Sequence, residues 1–404
     1  MPPEVNLRDP AVRADPSSTY ARLRRESPVH PTVRPHVGRA WLLTRYEDVL
    51  TALQDKRFVN DRRNVGDGKG VSLPWWTPRL FRLFQSVMSS KDMAEHRRLR
   101  DLVHKAFTSR RVEEMRASVE GSVGRLLDEA ARKPVVDLVG DFALPLSLEV
   151  ISRMLGVEAE DRVKFHRWTA TFMEALGKGP RSLLDQTLKG ILMMRLFRKL
   201  IRQRREQPRD DLLTALVQAE AQGDRLNEEE LVSMIFLLLL AGHETTVSLI
   251  GSGTLALLQN PGELQKLRER PELIDSAIEE LLRYTSPIEH PAPRFAREDV
   301  ELGGQLIRRG EMVVPVVAAA NRDETVFPNP DTLDITRHPN RHVAFGMGVH
   351  YCLGAPLARL EGRLALLALV QRFPQLRLAV PAEQLRWRSS VSLRALKALP
   401  VHLT

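Results

Sequence analysis

The sequence predicts a mainly helical α+β fold, and three observations lead to this prediction. Apolar residues recur with the 3.6-residue helical period through most of residues 92–257. Short runs with the two-residue period of strands occur near both ends of the chain. The composition, 43% hydrophobic and 27% charged among 404 residues, is that of an ordinary globular protein. We therefore expect one hydrophobic core and a single domain over residues 1–404.

The first part of the chain is predicted to hold a hairpin followed by helices. Alternating apolar residues at 29–33 and 40–43 predict the hairpin. Glycines and prolines interrupt residues 58–90, which we expect to be irregular. The helical period predicts helices at 46–54, 95–107, 112–131, 145–155, 161–176, 183–205 and 211–221. Asn227 and Glu230 have the spacing of a capping box, so a long helix is expected from there to residue 259.

The hydrophobic pattern of the sequence changes from mainly helical to mainly strand-like after Ser286. Two helices, at 261–268 and 271–284, precede the change. The segments with strand character after it are 294–296, 300–302, 305–307 and 312–317. Residues 321–341 are rich in Pro, Asn and Asp, and we name them the irregular stretch. A final helix is predicted at 355–373, with strands at 376–380 and 399–403.

Composition and charge exclude several classes of protein. The single cysteine, Cys352, excludes an intramolecular disulfide framework and cysteine-built metal cages. The formal net charge of +9 would suit a polyanion, but Lys and Arg form no long block, so nucleic-acid binding is not expected. The N-terminus lacks the apolar segment of a signal peptide. The longest apolar run, 231–242, is shorter than the ~20 residues that span a bilayer. We expect a cytoplasmic protein without a membrane anchor.

The surroundings of Cys352 predict a metal-binding thiolate. Gly346, Gly348 and Gly354 frame it and allow a tight loop close to something flat or bulky. The predicted helix that follows, with Pro356 in its first turn, places Cys352 near a helix N-terminus, where the dipole favours thiolate. A lone cysteine is ordinarily a small buried hydrophobe, but the glycine framing favours a ligand. Nothing nearby supplies the base and orienting group of a cysteine nucleophile.

The segment Phe345-Gly346-Met347-Gly348-Val349-His350-Tyr351-Cys352-Leu353-Gly354 resembles the haem-binding loop of cytochrome P-450 enzymes, Phe-Gly-x-Gly-x-His-x-Cys-x-Gly. The resemblance implies a haem b cofactor (iron protoporphyrin IX) with Cys352 as the proximal thiolate ligand of iron. It implies that Phe345 packs beside the sulfur and that the glycines, Gly354 included, let backbone amides point at it. It covers essentially the whole chain and implies the cytochrome P-450 fold of the soluble bacterial type, with haem between the long helix and the helix after Cys352.

A second matching motif, Ala241-Gly242-His243-Glu244-Thr245-Thr246, lies in the middle of the long helix. An acid beside a hydroxyl residue in an apolar helix is costly unless it is satisfied. Ala241 and Gly242 leave room for a haem face and a widened helix turn. In the family this motif is the oxygen-binding groove, which implies that Thr245 hydrogen-bonds the bound oxygen and that Glu244 relays protons. His243 stands where the family pattern varies, and it receives no role.

Two further motifs agree with the resemblance. Glu280 and Arg283 lie at i, i+3 on one helix face and can pair. In the family this pair is structural and holds the segment before the cysteine in place. His96 and Arg100 lie at i, i+4 on another helix, and the resemblance implies that they bind the haem propionates. It implies the same for Arg294 and His350. The family often has proline where Met93 stands, which affects a helix start and not the ligand assignment.

The substrate pocket is assigned by family position, because the residues themselves identify no ligand. The lining segments are mostly apolar and favour a lipophilic substrate of fatty acid, terpenoid, steroid or macrolide type. The candidate pocket residues are Trp75, Trp76, Phe172, Met173, Leu238, Ile288, His290 and Val391. Two alternatives stay open. The aromatic residues of 58–90 either face the pocket or glue their loop down, and Glu289 and His290 either contact substrate or point to solvent.

The resemblance implies a haem-thiolate monooxygenase that inserts one oxygen atom of O2 into a C–H bond. The chain has no flavin or iron–sulfur module, so electrons are expected from a ferredoxin and its reductase. Such donors are usually acidic, so a basic patch is expected to dock one by electrostatic steering, the alternative being a solvated basic face. The members of this patch are Arg97, Arg98, Lys105, Arg341, Arg359 and Arg363. A monomer is expected.

Three other functions are weighed against this one. A peroxide-using peroxygenase of the same fold needs no proton relay, and the Glu244-Thr245 pair argues against it. A non-hydroxylating haem-thiolate biosynthetic enzyme, which couples or rearranges an intermediate, is not distinguished by the sequence. A haem sensor without turnover is the least favoured, because the oxygen groove is intact.

Overall fold

The computed structural model is mostly helical with small sheets, which confirms the predicted fold class. It describes residues 7, 9, 12–13, 15–34, 38–66, 87–157, 161, 183–209, 211–218, 220–221, 224–225, 228–388, 390 and 392–404. The chain divides into two compact units. Unit 1 consists of Met1–Val71, Glu120–Leu144 and Thr245–Thr404, and unit 2 of Ser72–Val119 and Pro145–Glu244. That the whole chain acts as one domain stays a prediction.

The described helices follow the hydrophobic periodicity closely. They are α1 (Pro16–Glu26), α2 (Tyr46–Gln54), α3 (Met93–Ala106), α4 (Ser109–Glu114), α5 (Arg116–Ala130), α6 (Leu144–Met154), α7 (Leu183–Glu206), α8 (Leu212–Gln218), α9 (Glu228–Gln259), α10 (Pro261–Glu269), α11 (Ile274–Thr285), α12 (Val317–Ala320) and α13 (Ala355–Arg372). A π-helical turn, Leu138–Ala143, precedes α6. Short 3-10 turns occupy Arg62–Asn64, Met88–Ser90, Pro271–Leu273, Gly348–His350 and Ala382–Gln384.

The strands lie mostly in unit 1. They are β1 (Val29–Arg34), β2 (Gly38–Leu43), β3 (Phe58–Val59), β4 (Val136–Asp137), β5 (Glu220–Ala221), β6 (Asp224–Arg225), β7 (Arg294–Ala296), β8 (Val300–Leu302), β9 (Gln305–Ile307), β10 (Met312–Pro315), β11 (Arg377–Leu378) and β12 (Pro400–His402). The main sheet has the order β1-β2-β10-β7-β3, in which β10 runs parallel to β2 and the other pairs are antiparallel. β11-β12-β4 form a second sheet, and β5-β6 and β8-β9 are hairpins.

The main sheet of unit 1 buries both of its faces. Alternate residues of β2 point to opposite sides, as the two-residue period of a strand requires. Trp41 and Leu43 pack with α2 residues such as Val49 in one core cluster. Ala40 and Leu42 pack with residues of α1 such as Tyr20 in another.

The helix α9 is the longest in the described chain, with 32 residues and a length of about 48 Å at ~1.5 Å per residue. Its residues up to Glu244 belong to unit 2, and those from Thr245 belong to unit 1. Among the described residues it is the one helix long and apolar enough to cross a membrane. However, 67% of its most apolar window is buried within the protein, as expected of the core helix that the sequence predicts.

Three predicted boundaries were wrong. The helix predicted at 112–131 is two helices, because the Met115 amide bonds to the Val112 carbonyl, three residues back, and tightens the chain there. The helix predicted to residue 221 ends at Gln218, since the next residues pair as the β5-β6 hairpin. The strand predicted at 312–317 ends at Pro315, which has no amide for the ladder, and Val317 begins α12. The predicted cap Asn227 and most of the helix 161–176 lie outside the described residues.

Candidate active site

Residues 345–354, which we name the cysteine loop, fold back tightly in unit 1. Gly346 and Gly348 both have a φ of +70°, in the left-handed region that residues with a Cβ avoid. A Cβ on Gly348 would also lie 3.0 Å from the Leu53 carbonyl oxygen. The Cys352 amide donates to the Phe345 carbonyl oxygen at 2.9 Å and closes the loop. The predicted role of glycine is therefore met at these two positions by backbone geometry.

Cys352 lies three residues before the first residue of α13, and its side chain is half-buried. The helix begins with a proline in its first turn, and Gly354 is its N-cap. A Cβ on Gly354 would lie 3.9 Å from the Cys352 sulfur, an ordinary contact distance. The positive end of a helix dipole stabilises a thiolate relative to a thiol. Such a sulfur suits iron, so the loop fits a haem held by one thiolate.

Across the part of the chain that the structure describes, no cluster of three or more His, Cys, Asp or Glu side chains has the geometry of a metal site. Two basic side chains of unit 1 are candidates to hold the haem propionates. In unit 1, Arg294 begins β7 and is buried, with its Nη1 donating to the Ala292 carbonyl at 3.0 Å. His350 ends the 3-10 turn of the cysteine loop and is half-buried. Both are the donor types that a propionate requires.

The cysteine loop is braced by a group of side chains that we name the α11–α13 cluster: Glu279, His342, Phe345, Tyr351 and Arg359. Arg359 makes a two-pronged ion pair with Glu279, with both N–O distances at 2.7 Å. Its guanidinium lies 4.6 Å from the ring centre of Phe345. His342 Nε2 lies 3.1 Å from Glu279 Oε2, and the Arg359 side chain also donates to the Tyr351 hydroxyl at 3.2 Å. The sequence did not predict the Glu279 pairing, because its two partners lie 63 and 80 residues away.

One residue further along α11, Glu280 and Arg283 form a second group, the α11–irregular-stretch cluster, with Arg337 and Asn340. Arg283 pairs with both carboxylate oxygens of Glu280 at 2.8 Å, and neither side chain has exposed surface. Arg283 also donates to three carbonyls of the irregular stretch, those of residues 321, 330 and 332. Arg337 and Asn340 donate back to the Glu280 carboxylate. The arrangement ties a helix to the segment before the cysteine loop and contains no group open to a substrate.

In unit 2, the middle of α9 combines buried polar residues with an accessible apolar face. Leu238 is half-buried and Ala241 is exposed. Leu239 and His243, on another side of the helix, are buried. A small and apolar helix face of this kind suits the surface of a flat apolar group.

Gly242 has a packing reason to be glycine. A Cβ there would lie 2.9 Å from Cδ1 of Ile151 on α6, within the same unit. The structure has regular α-helix through this segment, so the predicted widened turn was wrong. The close approach of Ile151, which the sequence could not reveal, takes up the space that the missing side chain leaves.

His243, which the sequence gave no role, contacts the predicted acid. It is 1% exposed, and its Nδ1 lies 2.8 Å from the Leu239 carbonyl oxygen. A carbonyl only accepts, so Nδ1 carries the proton in this bond. The other ring nitrogen, Nε2, lies 3.5 Å from Glu244 Oε1, and Glu244 is also buried. The Leu239–His243 spacing of one helical turn was visible in the sequence, but the side-chain direction was not.

His96 and Arg100 both lie on α3 in unit 2. His96 is buried and Arg100 is half-buried. Met93, at the start of this helix, has a φ of +50° and is 55% exposed. Proline cannot adopt that φ, so the departure from the family pattern changes the helix start, as expected.

Three of the pocket residues predicted by position lie among the described residues. Leu238 and Ile288 are half-buried, and Ile288 pairs with Leu393 in a β-bridge. His290 instead is buried against α1, with its Nε2 3.1 Å from the Tyr20 hydroxyl. Trp75, Trp76, Phe172, Met173 and Val391 lie outside the described residues.

Glu289 and His290 do not point to solvent. Glu289 is 1% exposed and pairs with Arg13. Burial raises the pKa of Glu289, and the Arg13 guanidinium offsets part of that rise. This solvent alternative was wrong because the N-terminal segment, almost 280 residues away in sequence, covers both side chains.

Three of the six members of the predicted basic patch form ion pairs. Arg98 pairs with Glu230, Arg359 with Glu279, and Arg363 with Asp275. Arg97 and Arg341 are exposed. The simple charge count along the sequence therefore overstates the positive charge of the patch.

Comparison with known proteins identifies relatives along nearly the full chain. The family model for cytochrome P-450 matches residues 43–381. The polyketide biosynthesis cytochrome P-450 PksS of Bacillus subtilis (strain 168) is 45% identical over 393 residues, which are 96% of this chain and 96% of that protein. Its solved structure has a TM-score of 0.92 at 42% identity and covers 99% of this chain and 100% of that chain.

Two further relatives have names that state an activity or a partner. The 6-deoxyerythronolide B hydroxylase of Saccharopolyspora erythraea is 41% identical over 402 residues, 98% of each protein. The solved complex of P450BioI with a hexadec-9Z-enoic acid-ligated acyl carrier protein has a TM-score of 0.88 at 38% identity, and covers 97% of this chain and 98% of that chain.

Proposed function

This chain belongs to the cytochrome P-450 family, and from that premise we propose which of its residues carry out the family's reaction. It is a haem-dependent monooxygenase that uses O2 and takes electrons from a redox partner. When bound, the haem supplies the activation of O2 and the oxidation of the C–H bond. The protein's own residues bind the haem, orient the substrate and manage protons.

Cys352 is the proposed ligand of the haem iron. The observation that carries this proposal is the loop around it: the only cysteine of the chain follows two left-handed glycines and precedes a helix N-terminus. The test is the absorption spectrum of the reduced, carbon monoxide-bound protein. We expect the long-wavelength band of thiolate-ligated haem, and its loss in Cys352→Ser. A folded, haem-loaded wild-type protein without that band would overturn the assignment.

Glu244 and Thr245 are proposed to manage protons at the oxygen-binding groove. His243 Nδ1 donates to the Leu239 carbonyl, and its Nε2 lies 3.5 Å from Glu244 Oε1. The buried acid thus contacts a second polar side chain next to Thr245, which supports its proposed part in proton transfer.

The expected result for Glu244→Gln is a loss of product per NAD(P)H consumed and a rise in peroxide release, by roughly tenfold or more. Glu229→Gln, an exposed acid in the first turn of the same helix, is the matched control and is expected to change neither. Unchanged coupling in Glu244→Gln would remove the acid from the mechanism.

The haem propionates are proposed to bind His96, Arg100, Arg294 and His350. The buried guanidinium of Arg294 supports this, since a buried charge is stable only beside acceptors or anions. Ala241 and Phe345 are proposed to contact the haem faces, with Gly242 and Gly354 beside them. Arg294→Ala is expected to lower the haem content of purified protein, while the exposed Arg297→Ala leaves it unchanged.

The substrate is proposed to be a lipophilic polyketide-like or fatty acyl compound. The polyketide biosynthesis relative and the acyl-loaded carrier protein bound to P450BioI support this class. Half-buried Leu238 and Ile288 supply apolar surface for it. A spectral titration that follows water displacement from iron is expected to respond to free acyl or polyketide compounds and to carrier-linked ones. A response only to terpenoids or steroids would contradict this class.

The redox partner is proposed to be a ferredoxin with its reductase, acting with a monomeric, single-domain, cytoplasmic enzyme. Exposed Arg97 and Arg341 are the patch members best suited to steer an acidic donor. Arg341→Glu is expected to slow ferredoxin-supported reduction and to reduce its salt dependence. Arg132→Glu is the control, because Arg132 is an exposed residue that lies just after the end of α5. Equal effects of both changes would mean that net charge alone matters.

A further inference from the structure

A positively charged side chain lies over one face of the Phe345 ring in the cysteine loop. The Arg359 guanidinium lies 4.6 Å from the ring centre, within the range of a cation–π interaction. Tyr351 meets the same ring edge-on at a centroid distance of 6.3 Å, and the His342 ring lies at 6.2 Å. The position of the ring is therefore determined by contacts from three directions.

The backbone of the same residue is hydrogen-bonded to the cysteine. The Phe345 carbonyl oxygen accepts the Cys352 amide at 2.9 Å. Arg359 follows Cys352 by seven residues and is the fifth residue of α13. The charge on Arg359 therefore lies against the residue whose backbone closes the loop at Cys352.

Glu279 neutralises that charge. Its two carboxylate oxygens accept hydrogen bonds from Nε and Nη2 of Arg359, each at 2.7 Å. This is the bidentate geometry that arginine forms with carboxylates. The Ala344 amide donates to His342 Nδ1, and His342 Nε2 lies 3.1 Å from Glu279 Oε2. Of the paired groups, the Arg359 guanidinium is the one that contacts the loop.

The next ion pair along the same two helices provides a natural comparison. Arg363 lies one turn after Arg359 on α13, and Asp275 lies one turn before Glu279 on α11. They pair at 2.7 Å, but Asp275 is 71% exposed, against 30% for Glu279. Water screens the outer pair more strongly, so the inner pair has the stronger field at the loop.

We propose that the Glu279–Arg359 pair sets the reduction potential of the haem iron, with Glu279 holding the potential down by neutralising the guanidinium on Phe345. Both are positioning residues that act through Phe345 and the cysteine loop. The inference rests on the proposed function, because it takes Cys352 as the ligand of iron. Reduction of ferric iron adds one electron, so an uncompensated positive charge nearby favours the reduced state and an uncompensated negative charge disfavours it.

The test is the midpoint potential of the haem-loaded protein, measured by spectroelectrochemical titration without turnover. Glu279→Gln leaves the guanidinium unneutralised, and we expect its potential to shift to a more positive value. Arg359→Gln leaves the carboxylate, and we expect a shift to a more negative value. At a fixed electrode potential, each change is expected to alter the ratio of reduced to oxidised protein by roughly threefold or more.

The matched controls are Asp275→Asn and Arg363→Gln, for which we expect shifts smaller than those of the inner pair. The double variant Glu279→Gln/Arg359→Gln is expected to return close to the wild-type potential. Shifts of the same sign for both inner variants would mean that loop disruption, not charge, changes the potential, and would overturn the proposal. Shifts equal to those of the outer pair would overturn it as well.

Two measurements keep this result separate from the proposed function. The reduced carbon monoxide spectrum of each variant reports whether the thiolate ligand is intact. If that band persists and the potentials do not move, the inference fails while the ligand assignment stands. Should Arg359→Gln not retain haem, Arg359→Lys keeps the charge but loses the fork, and it is expected to hold the potential within the range of the controls.

Discussion

Two neighbouring glutamates on α11 face different regions of unit 1 and have different surroundings. Glu280 belongs to the α11–irregular-stretch cluster, where its side chain and that of Arg283 have no exposed surface. Glu279 belongs to the α11–α13 cluster, where the carboxylate is 30% exposed and Arg359 is 26% exposed. Both carboxylates pair with an arginine fork, but only the second pair lies against the cysteine loop.

The difference between these regions is one of solvation. A fully buried ion pair is stable only when its remaining donors and acceptors are also satisfied. Removal of a side chain from the first cluster is therefore expected to destabilise the folded state strongly. A half-exposed pair is partly solvated, so water can replace a missing partner. The first cluster therefore suits a structural role, and the second suits the adjustment of a charge near the loop.

The largest effect is expected from Arg283→Ala. The change leaves Glu280 buried without its closest cationic partner, with Arg337, Asn340 and the Asp334 amide still donating to it, and removes three bonds to carbonyls. We expect the free energy of unfolding to fall by about 3–5 kcal/mol. Urea denaturation followed by circular dichroism measures it. Arg270→Ala, which breaks an exposed pair with Glu272, is the control. A loss similar to that of the control would mean that the cluster is not structural.

A smaller effect is expected from Arg359→Ala. The variant loses the pair with Glu279 and the contact with Phe345, but water can reach Glu279. We expect a fall in the free energy of unfolding of about 1–2 kcal/mol, after allowing for solvent screening. The same denaturation series measures it. If Arg359→Ala destabilised the protein as much as Arg283→Ala, the distinction between the two regions would be wrong.

A smaller effect again is expected on the stability of the folded protein when the pH is lowered. Burial by itself would raise the pKa of Glu279, but hydrogen bonds from Arg359 and His342 outweigh burial and lower the pKa from 4.5 to about 2. A lowered pKa stabilises the folded state above pH 4.5, and this stabilisation is lost as the pH falls toward 2. Between those values, Glu279→Gln should show a shallower loss of stability than wild type. Parallel curves would show that Glu279 does not contribute to acid unfolding.

The smallest effect is expected from Arg363→Gln. Its partner Asp275 is largely exposed, and such pairs contribute little to stability. We expect the free energy of unfolding to change by no more than about 0.5 kcal/mol. Thermal or urea denaturation measures the change. A loss as large as that of Arg359→Ala would indicate that the outer pair belongs to the same cluster.

Local features of the chain were predictable because they depend on neighbouring residues. The strands at 294–296, 300–302 and 305–307 have the predicted bounds. Gly303 and Gly304, with φ of +54° and +74°, form the turn of the β8-β9 hairpin between two of them. The start of α13 was also predicted, because Gly354 and Pro356 are local signals of a helix beginning.

Contacts between distant parts of the chain were not predictable. The partner of Glu289 lies 276 residues away, and the sequence left this acid between substrate and solvent. The need for glycine at residue 242 depends on Ile151, which belongs to another helix. Likewise, the sequence identified the cations of the predicted patch, but the acidic partners of three of them come from other helices. Periodicity specifies which face of a helix is apolar, but not which helix packs against it.

The sequence by itself determined the helices, the short strands, the cysteine loop and the family, because periodicity, glycine placement and a ten-residue signature are all local properties. Only the tertiary structure decided that Glu279 faces Arg359, and that Arg337 and Asn340 join the Glu280–Arg283 pair that the sequence predicts. The physical reason is that adjacent residues on a helix point about 100° apart. Where each of them then finds a partner depends on the elements packed around the helix.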